Sequence, residues 1–289
     1  VPKRRPHVLR EGAARALFGT AAALSIAAVA LICLFLLANG VPAMAEIGLP
    51  EFLFGTTWRP VNDLYGIFPM IVGSLYVTAG AMIVGVPGGL LTALYFSRFA
   101  RGRTGSFLRS GVELLAGIPS VVYGFFGLVI IVPFVRLLGP GTGLSVLAAS
   151  LILGIMILPT VITVAQSALD AVPARYYEGA LALGVDHEHA VFKVVAPAAA
   201  SGIMAAIVLG LGRAIGETMA VVMVAGNMPI IPDSLLSGVR TMTANIVLEM
   251  GYAADLHREA LIATGVVLFV FILLITMLLN VIRKRGEAR

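Results

Sequence analysis

Apolar residues fill this chain in six long runs, at about 16–38, 67–96, 112–138, 143–168, 199–226 and 260–282, with Pro, Gly and charge gathered between them. A helix rises 1.5 Å per residue, so each run can cross the ~30 Å hydrocarbon core of a bilayer. The pattern therefore predicts an all-α integral membrane protein with six transmembrane helices. A short N-terminal segment, 1–15, precedes a six-span domain over 16–289. Two connections are long. Residues 39–66 read as irregular, and 227–259 opens on turn signals (NMPIIPD) before RTMTANIVLEM, which reads as a short helix.

Composition agrees with the pattern. The chain is 59% hydrophobic and 12% charged, where a soluble domain carries about 25% charged residues. Cys33 is the one cysteine, which excludes a disulfide framework. The net charge of +5 sits in clusters at the ends of apolar runs, where it is an orientation signal and not a nucleic-acid signal. One side collects Lys3, Arg4, Arg5, Arg10 and Arg15, then Arg98, Arg101, Arg103 and Arg109, then Arg175 and Lys193, then Arg283, Lys284, Arg285 and Arg289. The other side holds Arg59, Arg136, Arg240 and Arg258. The excess predicts that both termini are cytoplasmic, as an even number of spans requires. PAMAE at 42–46 looks like a cleavage site, but the preceding apolar run exceeds the 7–15 residues of a signal peptide, so the first run reads as an uncleaved span.

Chemical motifs are scarce. No G-x-x-x-x-G-K-[ST] phosphate loop occurs, so nucleotide binding is not expected in this chain. His187 and His189 in DHEH lack further Cys or His neighbours that would complete a metal set, and no cofactor or metal is expected. No nucleophile–base pair supports an intramembrane enzyme. The GxxxG at 212–216 suits close helix packing.

Two features remain. In DAVPARYYEGALALGVDHEHAVFKVVAP, Asp170 and Pro173 suit a helix start and Gly184 its end. The helix would display Tyr176, Tyr177, Ala180, Leu181 and Leu183, an apolar set that needs a partner or lipid headgroups. The second feature is GLGRAIGETMAVVMVAG, where Arg213 and Glu217 stand four residues apart inside the fifth run. A central Arg costs ~2.5–3.5 kcal/mol on insertion scales, so it should face a partner or a path rather than lipid. On a continuous helix the two side chains share a face, which allows either a structural ion pair or a substrate path in which Glu217 holds Arg213 between substrates. Glu113 is expected to pair with Arg109.

These segments resemble a family. Glu178, Gly179, Ala180 and Gly184, followed in register by Val194, Ala196 and Pro197, are similar to the E-A-A-x-x-x-G…I-x-L-P signature of permease subunits of bacterial ABC importers, with Gly179, Val194 and Ala196 as departures. The resemblance implies a coupling segment at about 170–197 that docks on a separate ATPase, with Tyr177 beside the signature. YGIFPMIVGSLYVT, GIPSVVYGFFGL, GRAIGETMAV and RTMTANIVLEMGYA further resemble PstC-type permeases of the phosphate-specific ABC importer. That implies a PstA-type second permease, a PstB-type ATPase dimer that binds ATP and Mg, a PstS-type extracytoplasmic binding protein, and lipid around an inner-membrane subunit. Arg213, Glu217 and Thr218 become the substrate-path residues. A guanidinium offers phosphate two parallel hydrogen bonds and stays charged. Other oxyanions such as sulfate or molybdate, and a self-sufficient channel or ion-coupled transporter, remain open readings.

Overall fold

The structure, a computed structural model, describes residues 5–100 and 102–287. Lys3, Arg4, Arg101 and Arg289, part of the basic clusters, lie outside the described residues. The chain is helical almost throughout, as predicted. Helix α1 (Arg5–Ile47) runs into α2 (Leu49–Phe54), and a two-residue antiparallel ribbon follows, with β1 (Trp58–Arg59) paired to β2 (Leu64–Tyr65). The irregular reading of 39–66 thus missed nine further residues of α1, the short α2 and the ribbon.

Helix α3 (Phe68–Leu94) ends in a π turn over Tyr95–Phe99. Then come α4 (Gly102–Gly117), α5 (Ser120–Phe126), a second π turn and α6 (Val132–Arg136). Helix α7 (Val146–Asp170) leads to α8 (Ala174–Ala182). Next, α9 (His187–Ala190), a π turn and α10 (Ala196–Ala198) form one run that bends by 71° into α11 (Ala200–Gly216). Finally come α12 (Met219–Val224), α13 (Met242–Glu249) and α14 (Asp255–Glu287). Among the described residues four helices are long and apolar enough to cross a membrane, and six segments are when each bent pair counts as one span.

Two predicted spans are broken rather than straight. The third bends by 101° between Gly102–Gly117 and Ser120–Arg136. Pro119 has no N–H to continue the ladder and disfavours a helical residue before it. The Tyr123 hydroxyl donates to the freed Leu115 carbonyl at 2.8 Å. The fifth breaks at Glu217, whose ψ of 132° is extended. The expectation of one continuous helix over 199–226 is therefore corrected.

The centre of the bundle is α3 against α7. A Cβ on Gly85 would lie 2.5 Å from Ile157 and 2.7 Å from the Gly154 carbonyl, and one on Gly89 would lie 2.7 Å from Val161. Small residues let the two backbones approach where apolar burial gives no advantage over lipid. Helix α11 packs Ala206, Gly210 and Ala214 on the same core. Helix α1 leans on α14 through its last turns, around Leu36, Gly40, Ala43 and Met44. The α1 face upstream is exposed apolar surface, as a lipid-facing span requires.

Candidate functional site

The break in the fifth span builds the first candidate site. Irregular backbone at membrane depth must have its polar groups satisfied within the protein. Here hydroxyls do that: Thr218 Oγ1 donates to the Gly216 carbonyl at 3.3 Å and Thr243 Oγ1 to the Glu217 carbonyl at 3.2 Å. Glu217 Oε1 accepts from the Ala220 backbone N–H at 3.2 Å, so the carboxylate caps α12. Arg213 donates instead to Thr160 Oγ1 on α7 at 3.3 Å, and its side chain is exposed. No ion pair joins Arg213 to Glu217 among the described residues. The expected shared face and clasp between them are therefore corrected, because the helix ends at Gly216 and Glu217 turns off its axis. The bend in the third span lies against this break: a Cβ on Gly124 of α5 would lie 2.9 Å from Ala220 of α12. Arg213, Thr160, Glu217, Thr218, Thr243 and Tyr123 thus belong to one region where two spans are interrupted.

The second candidate site is the α8 segment. Helix α8 starts after Pro173 and ends before Gly184, whose φ of +86° is the left-handed geometry expected of a terminating glycine. Its inner face is Tyr177 and Ala180, not an outer one: Ala180 is buried and Tyr177 half-buried. The expected outward display of these two is corrected, and Tyr176, Leu181 and Leu183 are the exposed apolar residues. Tyr177 hydrogen-bonds His187 Nδ1 at 2.7 Å, and the Arg98 guanidinium stacks over its ring at 5.8 Å. Arg98 also donates to the Leu169 carbonyl at 2.9 Å, tying α8 to the ends of α3 and α7. Glu178, Gly179 and Pro197 are exposed, and nothing crowds Gly179 or Gly184 within 4 Å. His189 engages Asp186, whose carboxylate caps α9; the His189 backbone N–H holds that carboxyl below its usual range. Both His residues of DHEH therefore serve local structure.

A third cluster went unread in the sequence. Arg240 contacts Glu249 Oε1 at 2.5 Å and Asn245 Oδ1 at 3.0 Å, and its Nε donates to the Asn227 carbonyl. Glu249 Oε2 takes Trp58 Nε1 and His257 Nε2, each at 2.9 Å. The Glu249 side chain is 9% exposed and that of Arg240 15%. Burial pushes the Tyr65 and Tyr252 phenols beside this cluster upward, so both stay neutral at physiological pH. Periodicity cannot reveal such a network, since Trp58 reaches Glu249 only through the fold. The available signal was Asn245 and Glu249, four residues apart on one short helix. Glu113 and Arg109, expected to pair, line a common cavity of about 260 Å³ without an ion pair, and Arg109 donates to the Phe96 carbonyl.

The family of binding-protein-dependent transport system inner membrane components matches residues 85–287. A probable ABC transporter permease protein, YqgH of Bacillus subtilis, is 35% identical and is matched over 99% of this chain and 95% of its own length. The phosphate transport system permease protein PstC of Mesorhizobium japonicum is 33% identical over 89% of this chain and 85% of its own. PstC 1 of Mycobacterium tuberculosis is 35% identical over 80% and 74%. Among solved structures, a chain of the MetNI methionine ABC transporter in an inward-facing conformation superposes with a TM-score of 0.60 at 20% identity, over 80% of this chain and 99% of that one.

Proposed function

We propose, from the premise that this chain belongs to the family of binding-protein-dependent transport system inner membrane components and is a multi-pass ABC permease subunit, that its cargo is phosphate. The observation that carries the proposal is Arg213, an exposed cation beside Thr160 at the point where the fifth span is broken. Broken helices that line a cavity are a recurring site of substrate contact in membrane transporters. The relatives named PstC supply the cargo. In this reading Arg213 lowers the barrier for a divalent oxyanion, while Glu217, fixed on α12, keeps a negative charge nearby so that the anion does not lodge. Thr218 holds the break open for both. The chain performs no chemistry: ATP and Mg belong to a PstB-type ATPase dimer that docks on Tyr177–Gly184 and Pro197, a PstA-type subunit completes the path, and a PstS-type protein delivers phosphate from outside. Both termini and α8 face the cytoplasm.

The test is phosphate uptake by the assembled transporter. Arg213→Gln removes an interaction with a charged partner worth ~1.5–3 kcal/mol, so uptake falls by about ten- to hundredfold while the amount in the membrane and ATP hydrolysis persist. Arg213→Lys restores it only in part, since the two-pronged geometry is lost. Glu217→Gln keeps the oxygen that caps α12 and leaves the fold intact. Restored uptake in the double variant Arg213→Gln with Glu217→Gln removes Arg213 from the path.

A further inference from the structure

Helix α7 is apolar by composition, yet one of its faces is polar over its last three turns. Thr160, Thr163, Gln166, Ser167 and Asp170 recur at helical spacing, and none of them is buried. The opposite face, with Val161, Ala165 and Leu169, is buried in the core. The polar face begins at Thr160, which holds Arg213, and runs into the 260 Å³ cavity that Arg109 and Glu113 share with Thr163, Gln166 and Ser167. From Thr160 to Ser167 is seven residues, or about 10 Å along the axis. Each end thus has the same composition, an Arg with a Glu four residues later in the chain. At neither end is a carboxylate oxygen within 4.0 Å of the guanidinium among the described residues. Arg109 spends one nitrogen on the Phe96 carbonyl. Thr160 Oγ1 accepts from Arg213 and keeps its own proton to give, and Thr163 adds a second hydroxyl. Ser167 Oγ donates to the Thr163 carbonyl at 2.8 Å and Gln166 Nε2 to Asp170 Oδ2 at 3.4 Å, so the attraction for an oxyanion comes from the two cations.

We infer that the polar face of α7 is a ladder between two anion stations, with Arg109, beside Ser167 in the cavity, forming an inner station for the oxyanion that leaves Arg213. The inference rests on the phosphate-permease reading for the identity of the anion, though not for its charge. Glu113 keeps the station shallow, as Glu217 does at the first, because a moving anion must be able to leave each site. Thr163 offers a hydroxyl midway, so the anion need not be stripped of donors between the cations.

The experiment uses the assembled transporter in inverted membrane vesicles, in a Cys33→Ser background, with single changes Thr160→Cys, Thr163→Cys or Ser167→Cys. Reaction rates are compared for an anionic sulfonate and a cationic trimethylammonium thiosulfonate reagent, with and without inorganic phosphate. All three positions should favour the anionic reagent, and phosphate should slow all three. Adding Arg109→Gln should lower the anionic-to-cationic rate ratio at Ser167→Cys by at least about fivefold, as loss of a nearby unit charge predicts, and change it little at Thr160→Cys. Arg109→Lys should preserve the ratio, which separates lost charge from lost fold. If phosphate protects Thr160→Cys but not Ser167→Cys, the inner station is wrong while the phosphate reading stands. If the ratio at Ser167→Cys depends on Arg109 yet phosphate protects no position, the station stands for another anion and the phosphate reading fails. An unchanged ratio in Arg109→Gln overturns the station.

Discussion

Glu217 and Glu249 are both carboxylates of nominally apolar segments, and their surroundings give them opposite consequences. Glu217 accepts one backbone N–H and is half-exposed, so an amide can replace it. Glu249 accepts from Arg240, Trp58 and His257 in a buried site, where Arg240 depends on it for charge. Removing one member of a buried pair leaves the other uncompensated, at a cost of ~3–5 kcal/mol. Glu249→Gln is therefore expected to lower the midpoint of thermal unfolding in detergent clearly, and Arg240→Gln with Glu249→Gln should cost less than the two single changes added together. Equal, additive losses would show that the pair is not coupled. The contrast also marks what a sequence discloses at this scale. Arg213 was legible because a cation in an apolar run has few tolerable explanations. Its partner was not: the i, i+4 rule presumes a continuous helix, and Glu217 lies one residue beyond the end of α11.

Helices followed the apolar runs closely, and their interruptions did not. Pro119 lies inside the predicted third span and went unread as a breaker, and the break at Glu217 depends on Thr243, 26 residues away, to satisfy its carbonyl. Within α3 the glycines have distinct weights. Gly85→Ala gains up to ~1 kcal/mol of helix propensity, but its methyl would meet the Gly154 carbonyl, a backbone atom that cannot rotate away. Overpacking at ~1–3 kcal/mol outweighs the gain, so Gly85→Ala should lower thermal stability. Gly88→Ala, whose methyl meets only Leu158 at 3.4 Å, should leave it unchanged or raise it. At Gly184 the reasoning differs, because nothing lies within 4 Å and the backbone φ alone is at issue. A left-handed residue other than Gly costs ~1–2 kcal/mol, and Asn bears it more easily than a β-branched residue. Gly184→Asn should support uptake, while Gly184→Val should insert normally and lose ATPase-coupled transport. Normal transport by Gly184→Val would remove the α8 segment from coupling.

At the scale of the whole molecule, charge and structure divide the chain in the same way. One end gathers the ribbon, α13 and the start of α14 around Glu249, with Arg59, Arg240 and Arg258 nearby. The other end gathers α8 with the ends of α3 and α7, bearing Arg98, Arg109 and Arg175. Positive residues are retained on the cytoplasmic side during insertion, so the α8 end is expected to face the cytoplasm. Val61, 97% exposed, and Tyr252, 71% exposed, mark the first end, and Leu183, 87% exposed, marks the second. Each is accessible without disturbing the core, so a cysteine there reports sidedness rather than unfolding. In intact cells of a Cys33→Ser background, a membrane-impermeant thiol reagent should label Val61→Cys and Tyr252→Cys, and should reach Leu183→Cys only after permeabilisation. Labelling of Leu183→Cys in intact cells would invert the molecule. The α8 segment would then face away from any cytoplasmic ATPase, and the proposed direction of transport would fail with it.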